Sequence, residues 1–261
     1  SEQYENSIKS NGNEEWGIRY KEVSLDLPKL LKKKLGIVDE LTKGIDFLFK
    51  KNKVTKYIGA AKIISPNEIE IMNNEKAEII NADKIIIATG SESTNLPNIN
   101  VDEKKIVTST GALELDKVPQ KMIVIGAGII GLEMGTVWRR LGAEVEVVEY
   151  LPRILPGIDD EIANNFMKIL QKQGVKFKLA HSVEKAQIIN DKVLLSVKDI
   201  NNNTHNELEA DVALVSVGRK PNSNGLGLEE LNLKIDKHGF IETNENFQTS
   251  ISNIYAIGDV I

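Results

Sequence analysis

The stretch Lys121–Glu149, KMIVIGAGIIGLEMGTVWRRLGAEVEVVE, restricts the fold more than any other part of the chain. Met122–Ile125 is a short apolar run of the kind that forms a buried parallel strand, and Gly126, Gly128 and Gly131 follow it at GxGxxG spacing. Each glycine answers a different demand. Gly126 permits a tight turn, Gly128 removes the side chain that would hold the backbone away from a pyrophosphate, and Gly131 lets the next helix lie close to the strand. The start of that helix offers N–H groups and the positive end of its dipole to an anion. Ile129, Ile130, Leu132, Val137 and Leu141 give the helix an apolar face, Gly142 ends it, and Val145, Val147 and Val148 form the second strand.

Glu149 closes that second strand, 23 residues after Gly126. The expected offset is about 20 for the carboxylate that accepts a hydrogen bond from an adenosine ribose. Its charge repels a 2′-phosphate, so the pattern favours NAD over NADP. Arg153 lies near enough to bear on that choice, and its plainer reading is a solvated arginine ahead of Pro156.

Composition narrows the remaining options. The 261 residues exceed the usual single-domain size and point to two domains. A net charge of −5 with both signs mixed leaves no basic face for nucleic acid. No apolar run approaches the roughly 20 residues a spanning helix needs, and Ser1–Ser10 is too polar for a signal or transit segment, so a soluble chain without membrane association is expected. Cysteine is absent, which removes disulfides, thiolate metal sites and thiol chemistry from these residues. His181, His205 and His238 stand apart in polar surroundings without ligand or triad spacing and read as surface residues; no metal site is expected.

Around the central unit the pattern is alternately helical and extended. Asp26 and Pro28 mark the start of a long amphipathic helix that runs to about Lys51, with Leu30, Leu31, Leu35, Val38, Leu41, Ile45, Leu48 and Phe49 as a core-packing stripe. Val54–Ile58, Ala60–Ile64, Glu68–Met72 and Lys76–Ile80 read as a small antiparallel meander. Lys84–Gly90 reads as a buried strand ending in a glycine turn. Asp159–Gln173 is expected to be helical, Val175–Leu179 a strand, and Lys185–Lys198 and Glu207–Val217 further strands, with Asn201–Asn203 at a hairpin tip. Asp211–Gly218 and Ile254–Asp259 repeat the apolar run followed by glycine, and ligands of open α/β sheets sit at that end of the strands. Asp259 reads equally well as a ligand contact or as the cap of a following helix.

IATGS at Ile87–Ser91, TSTGALEL at Thr108–Leu115, IGAGIIGLEMG at Ile125–Gly135, VSVGRKPN at Val215–Asn222 and FQTSISNIYAIGD at Phe247–Asp259 occur in one order along nearly the whole chain. Taken together they resemble the pyridine nucleotide–disulfide oxidoreductases, and GIIGLEMG with VGRKPN resembles the lipoamide branch of that family. The resemblance implies an α/β flavoprotein fold of ββα type, a Rossmann-type NAD domain inserted in a truncated FAD domain. Residues 1–115 would belong to the FAD domain, 116–220 to the NAD domain, and 221–261 to the return segment of the FAD domain. It implies NAD contacts at Gly126, Ala127, Gly128, Ile129, Ile130, Gly131, Leu132, Glu133, Glu149, Val183 and Gly218, with Glu133 beside nicotinamide and flavin. FAD contacts would fall on Ala61, Thr89, Gly90, Thr110, Gly111 and Asp259.

The resemblance further implies flavin-dependent oxidation of dihydrolipoamide with hydride transfer to NAD. The enzyme would be a homodimer serving the lipoyl domains of 2-oxo acid dehydrogenase complexes, most often in the mitochondrial matrix. A related NADH oxidase, a ferredoxin reductase-like flavoprotein and a non-catalytic NAD-binding module are the alternatives. The family's first GxGxxG unit and its CxxxxC pair have no counterpart here, and the chain stops two residues after Asp259. An internal fragment is therefore expected, inactive alone, weak in flavin retention, able to self-associate, and still able to bind NAD weakly.

Overall fold

The computed structural model describes residues 1–10, 12, 13, 18, 19, 21–74 and 76–261. They divide into two compact units, one of Ser1–Gly36 with Ser93–Gly218 and the other of Ile37–Glu92 with Arg219–Ile261. The division differs from the boundaries expected at residues 115 and 220. Ile106–Val107 pairs in parallel with Val212–Val215, which draws the segment before residue 115 into the unit of the glycine motif.

That unit is built on a five-stranded parallel sheet in the order Val175–Lys178, Glu144–Val148, Lys121–Ile125, Val212–Val215, Ile106–Val107. Both faces are covered, which is why its strands read as nearly unbroken apolar runs. Met122 and Val124 point to one face, where they join Leu132, Trp138, Ala163 and Leu170 of the helices Ile129–Arg140 and Asp160–Lys172. Ile123 and Ile125 point to the other and meet Val193, Leu195 and Val197 of an antiparallel three-stranded sheet. Its strands are His181–Ile189, Lys192–Asp199 and His205–Ala210. The expected segment Lys185–Lys198 is thus split by Asn190 and Asp191, both with positive φ, the geometry of a tight type I′ hairpin turn. Asn201–Asn203 falls in the second hairpin connection, as expected.

The second unit carries the meander Ala60–Ser65, Glu68–Asn73, Lys76–Asn81 and the parallel pair Ile85–Ile87 with Ile254–Ala256. Ile63, Ile85, Ile87, Leu228, Leu233, Ile241 and Ile254 form its core. The meander has three strands, because Val54–Ile58 is not extended into a ladder. Val54 N–H instead donates to the Phe49 carbonyl and closes the preceding helix.

The helix Leu27–Lys51 forms where expected, and the Asp26 carboxylate caps it by accepting from Lys29 N–H at 2.9 Å. Its stripe is a correction. Among the described residues only Leu27 of this helix is buried, while Leu35, Val38, Leu41, Ile45, Leu48 and Phe49 are exposed. Periodicity puts these side chains on one face; it does not supply the surface that would cover them. No helix of the described residues is long and apolar enough to cross a membrane.

Candidate nucleotide site

At the C-terminal edge of the parallel sheet the chain passes from Ile125 through the glycine turn into Ile129–Arg140. Gly126 has φ of +101°, and a Cβ there would lie 2.5 Å from the Ser216 carbonyl oxygen. A Cβ on Gly131 would strike the Ser216 hydroxyl and the Gly126 carbonyl. These two glycines are fixed by the fold itself. Gly128 differs: its φ is −76°, it is the N-cap of the helix with no side-chain cap, and nothing lies within 4 Å of its added Cβ. The space over Gly128 is open, and its glycine identity has no cause inside the chain. A bare helix start facing open space is a cradle for an anion such as pyrophosphate.

Glu149 stands across the turn, buried to 8 % exposure. One carboxylate oxygen accepts from Ala127 N–H at 2.6 Å and the other from Leu151 N–H at 2.8 Å. The carboxylate therefore fastens the glycine turn to the end of its neighbouring strand. Its remaining lone pairs can still accept from a ligand hydroxyl. Ser216 closes the turn from the other neighbouring strand, its hydroxyl donating to the Ile125 carbonyl at 3.1 Å.

These groups border a cleft of about 780 Å³, inside the range of cofactor sites. Gly126, Gly128, Ile129, Ile130, Glu149, Val183 and Gly218 line it together. Ala127, Gly131, Leu132 and Glu133 do not. Ala127 and Leu132 are buried in the core, and Glu133 is exposed on an adjoining groove with Val137, Arg140 and Phe166, which shares Ile129, Leu155 and Ile158 with the cleft. The sequence reading missed Tyr150, the Leu155–Ile158 segment and His181 as further walls. Pro152, Pro156 and Gly157 are turn-forming residues after Glu149, and nothing in their spacing gives the direction of the turn.

His181 corrects the expectation of a surface histidine. It is half-buried in the cleft wall, Nδ1 lies 2.7 Å from the Leu179 carbonyl, and Nε2 lies 4.0 Å from Asp199. Asp199 lies below the ordinary carboxylate range because Asn202 and Asn201 N–H groups bond to it against the pull of burial. His205 and His238 are exposed. Among the described residues no group of acidic and histidine side chains could hold a metal ion.

The second unit gathers four of the residues set aside for flavin. The parallel pair Ile85–Ile87 and Ile254–Ala256 delivers Thr89–Gly90 and Gly258–Asp259 from corresponding strand ends, with Ile257 N–H donating to the Ile87 carbonyl. Gly90 and Gly258 have φ of +71° and +75° with open space beside both. The Asp259 carboxylate is exposed and accepts from the Ser91 hydroxyl at 2.8 Å; Arg219 donates to that same hydroxyl at 2.6 Å. Thr89 and Asn222 exchange hydrogen bonds, through the Thr89 hydroxyl to the Asn222 carbonyl and the Asn222 amide to the Thr89 carbonyl. Ala61 is exposed on the first meander strand. Thr110 and Gly111 belong to the other unit. Thr110 is exposed, whereas Gly111 is buried and its N–H already donates to Glu103 at 2.8 Å.

Known proteins resemble the chain in sequence and in fold. Over 246 residues the chain is 49% identical to a mitochondrial dihydrolipoyl dehydrogenase of Arabidopsis thaliana, covering 94% of this chain and 48% of the relative. It is 48% identical over 248 residues to the mitochondrial dihydrolipoyl dehydrogenase of Canis lupus familiaris, covering 94% and 49%. The chain spans about half the length of the curated relatives it matches. A Cu(II) complex of a variant of the HOCl-induced flavoprotein disulfide reductase RclA of Escherichia coli superposes with a TM-score of 0.81 at 26% identity, over 89% of this chain and 52% of that one. The family described as pyridine nucleotide-disulphide oxidoreductase matches residues 3–261. With the family's model matching nearly the whole chain and relatives close to half identical to it, the chain belongs to the pyridine nucleotide-disulphide oxidoreductases.

Proposed function

We propose that the cleft over Gly128 binds NAD and that these residues form the nucleotide-binding part of a dihydrolipoyl dehydrogenase. The observation that carries the reading is the open space at Gly128, between two glycines that the fold does require. The helix start at Gly128–Ile130 receives the pyrophosphate, Glu149 accepts from the adenosine ribose, Val183 packs on the adenine, and Gly218 borders the nicotinamide side. Ala127, Gly131 and Leu132 act from beneath, by holding the turn. Glu133 reaches the nicotinamide only from the rim, since its side chain stands on the neighbouring groove.

FAD is assigned to Ala61, Thr89, Gly90 and Asp259 of the second unit, while Thr110 and Gly111 keep the FAD role that the motif resemblance gives them, Gly111 supporting the turn below Thr110 within their own unit. The glycine turns at Gly90 and Gly258 fit such a ligand because they leave backbone open beside the Asp259 carboxylate. Bound flavin would supply the two-electron relay between a dithiol and the nicotinamide. This chain contains no cysteine, so the part its own residues play is to bind and orient the nucleotides. The reaction assigned to the whole enzyme converts dihydrolipoamide and NAD⁺ to lipoamide, NADH and a proton. Lipoyl domains of 2-oxo acid dehydrogenase complexes as partners, a homodimer and a mitochondrial matrix location belong to the same proposal, and the relatives' names speak to the dihydrolipoyl substrate and the mitochondrion.

The test is to express the complete gene product and follow NAD reduction by dihydrolipoamide. Turnover that disappears when Asp259→Ala strips the flavin is the expected result. A flavoprotein that oxidises NADH with oxygen and ignores dihydrolipoamide would instead support the oxidase alternative.

A further inference from the structure

Arg153 is neither the solvated residue nor the loose cation that its place in the sequence offers. Its guanidinium turns back onto its own loop. Nη2 donates to the Ile158 carbonyl at 2.5 Å and reaches the Leu155 carbonyl at 3.5 Å, while Nε reaches the Ile154 carbonyl at 3.4 Å. Nη1 pairs with Asp160, in the first turn of the helix Asp160–Lys172. One planar, permanently charged group thus gathers three backbone carbonyls and a carboxylate, a task suited to the arginine fork.

The loop so gathered is strained. Leu155 is a bulky residue with φ of +50°, a conformation that such side chains rarely adopt, and Gly157 follows at +91°. The Leu155 side chain is buried in the core, and its N–H donates at 2.9 Å to the carbonyl of Ala127, inside the glycine turn. Leu155, Pro156, Gly157 and Ile158 form the wall of the cleft that faces that turn. The buried Leu155 side chain, its bond to Ala127 and the Arg153 contacts hold that strain in place, and backbone strain clusters at ligand clefts, which points to a positioning role.

We infer that Arg153 is a positioning residue for the dinucleotide. It holds the Leu155–Ile158 wall against the glycine turn, and because its guanidinium is committed to carbonyls and Asp160 it offers no counter-charge to a 2′-phosphate. This inference rests on the NAD reading of the cleft. It separates Arg153 from Glu149 in function: Glu149 discriminates between nucleotides, whereas Arg153 raises affinity for both alike.

The experiment compares the parent chain with Arg153→Ala and Arg153→Lys, each titrated with NADH and NADPH, alongside amide hydrogen exchange of the nucleotide-free forms. Arg153→Ala should weaken NADH and NADPH binding by the same factor, about tenfold, leaving their ratio unchanged. Arg153→Lys should recover only part of the loss, since one ammonium cannot span three carbonyls and a carboxylate. Exchange should quicken at the Leu155 and Ile158 amides while Ile123–Ile125 stay protected. Unchanged NADH affinity in Arg153→Ala overturns the inference. So does a selective loss of NADPH, which would make Arg153 a phosphate counter-charge, and so does faster exchange throughout the sheet, which would make it a general stabiliser. A parent chain that is folded and binds neither nucleotide refutes the NAD reading first, before any variant is compared.

Discussion

The three motif glycines have unequal local reasons, and substitution separates them. Gly126→Ala places a side chain at φ of +101° against the Ser216 carbonyl, so it should cost about 1–3 kcal/mol or more and lower the melting temperature before any ligand is added. Gly128→Val places its Cβ where nothing lies within 4 Å and has an ordinary φ; it should leave thermal stability nearly unchanged and abolish NADH binding in a fluorescence titration. Equal destabilisation by both would show that Gly128 has an internal role. Glu149→Gln removes one of two carboxylate acceptors for backbone N–H groups and should cost about 1–3 kcal/mol. It should also narrow the preference for NADH over NADPH, because the charge opposing a 2′-phosphate is gone. An unaltered ratio of the two affinities would separate Glu149 from that preference.

Single elements show how far the sequence could be read. The strand, glycine turn, helix and second strand of 121–149 fall where the pattern puts them, because each is specified locally by an apolar run, a turn residue or a helix face. The long helix begins and ends as read, yet its stripe is exposed, since spacing identifies a face without identifying its cover. Val54–Ile58 is apolar enough for a strand and has no ladder partner. The wall at 155–158 was illegible because a loop carries no periodicity, and its course is set by Arg153 contacts and a left-handed leucine. The pairing of Ile106–Val107 with Val212–Val215 is a long-range event that no local window contains.

Electrostatics between elements is legible only in the structure. Asp211 is pulled upward by burial, yet bonds from the Lys192 ammonium and Lys121 N–H outweigh that and hold its carboxyl below the usual range. Asp102 behaves likewise: burial raises it, and the N–H groups of Lys104, Ile106 and Lys105 lower it further. A carboxylate with a depressed folded pKa stabilises the fold above its unfolded value of about 3.9 and loses that contribution as pH falls through the folded value. Acid unfolding should therefore steepen below about pH 4. Asp211→Asn should flatten that dependence and lower the neutral-pH melting temperature by about 2–4 °C. A variant with the parent's acid profile would remove Asp211 from the explanation.

Among the described residues three buried apolar clusters form the core, two about the parallel sheet and one in the second unit, and the helix Leu27–Lys51 carries a long uncovered apolar face. The exposed Leu41, Ile45 and Leu48 of the helix Leu27–Lys51 form a contiguous stripe, and such stripes drive association in water. Light scattering should show concentration-dependent association of the 261-residue chain, and Leu41→Glu with Ile45→Glu should suppress it without altering NADH affinity, because the cleft lies in the other compact unit. Association that persists in the double variant would locate the contact elsewhere.

A dinucleotide site over Gly128 that is selective for NAD has a calorimetric signature. It is read by titrating the folded chain with NADH and NADPH beside Gly128→Val. One NADH per chain, NADPH at least about tenfold weaker in keeping with one buried opposing charge, and no heat from the variant are the expected results. Equal affinity for both nucleotides, or no NADH binding by a chain whose circular dichroism shows it folded, would rule out such a site.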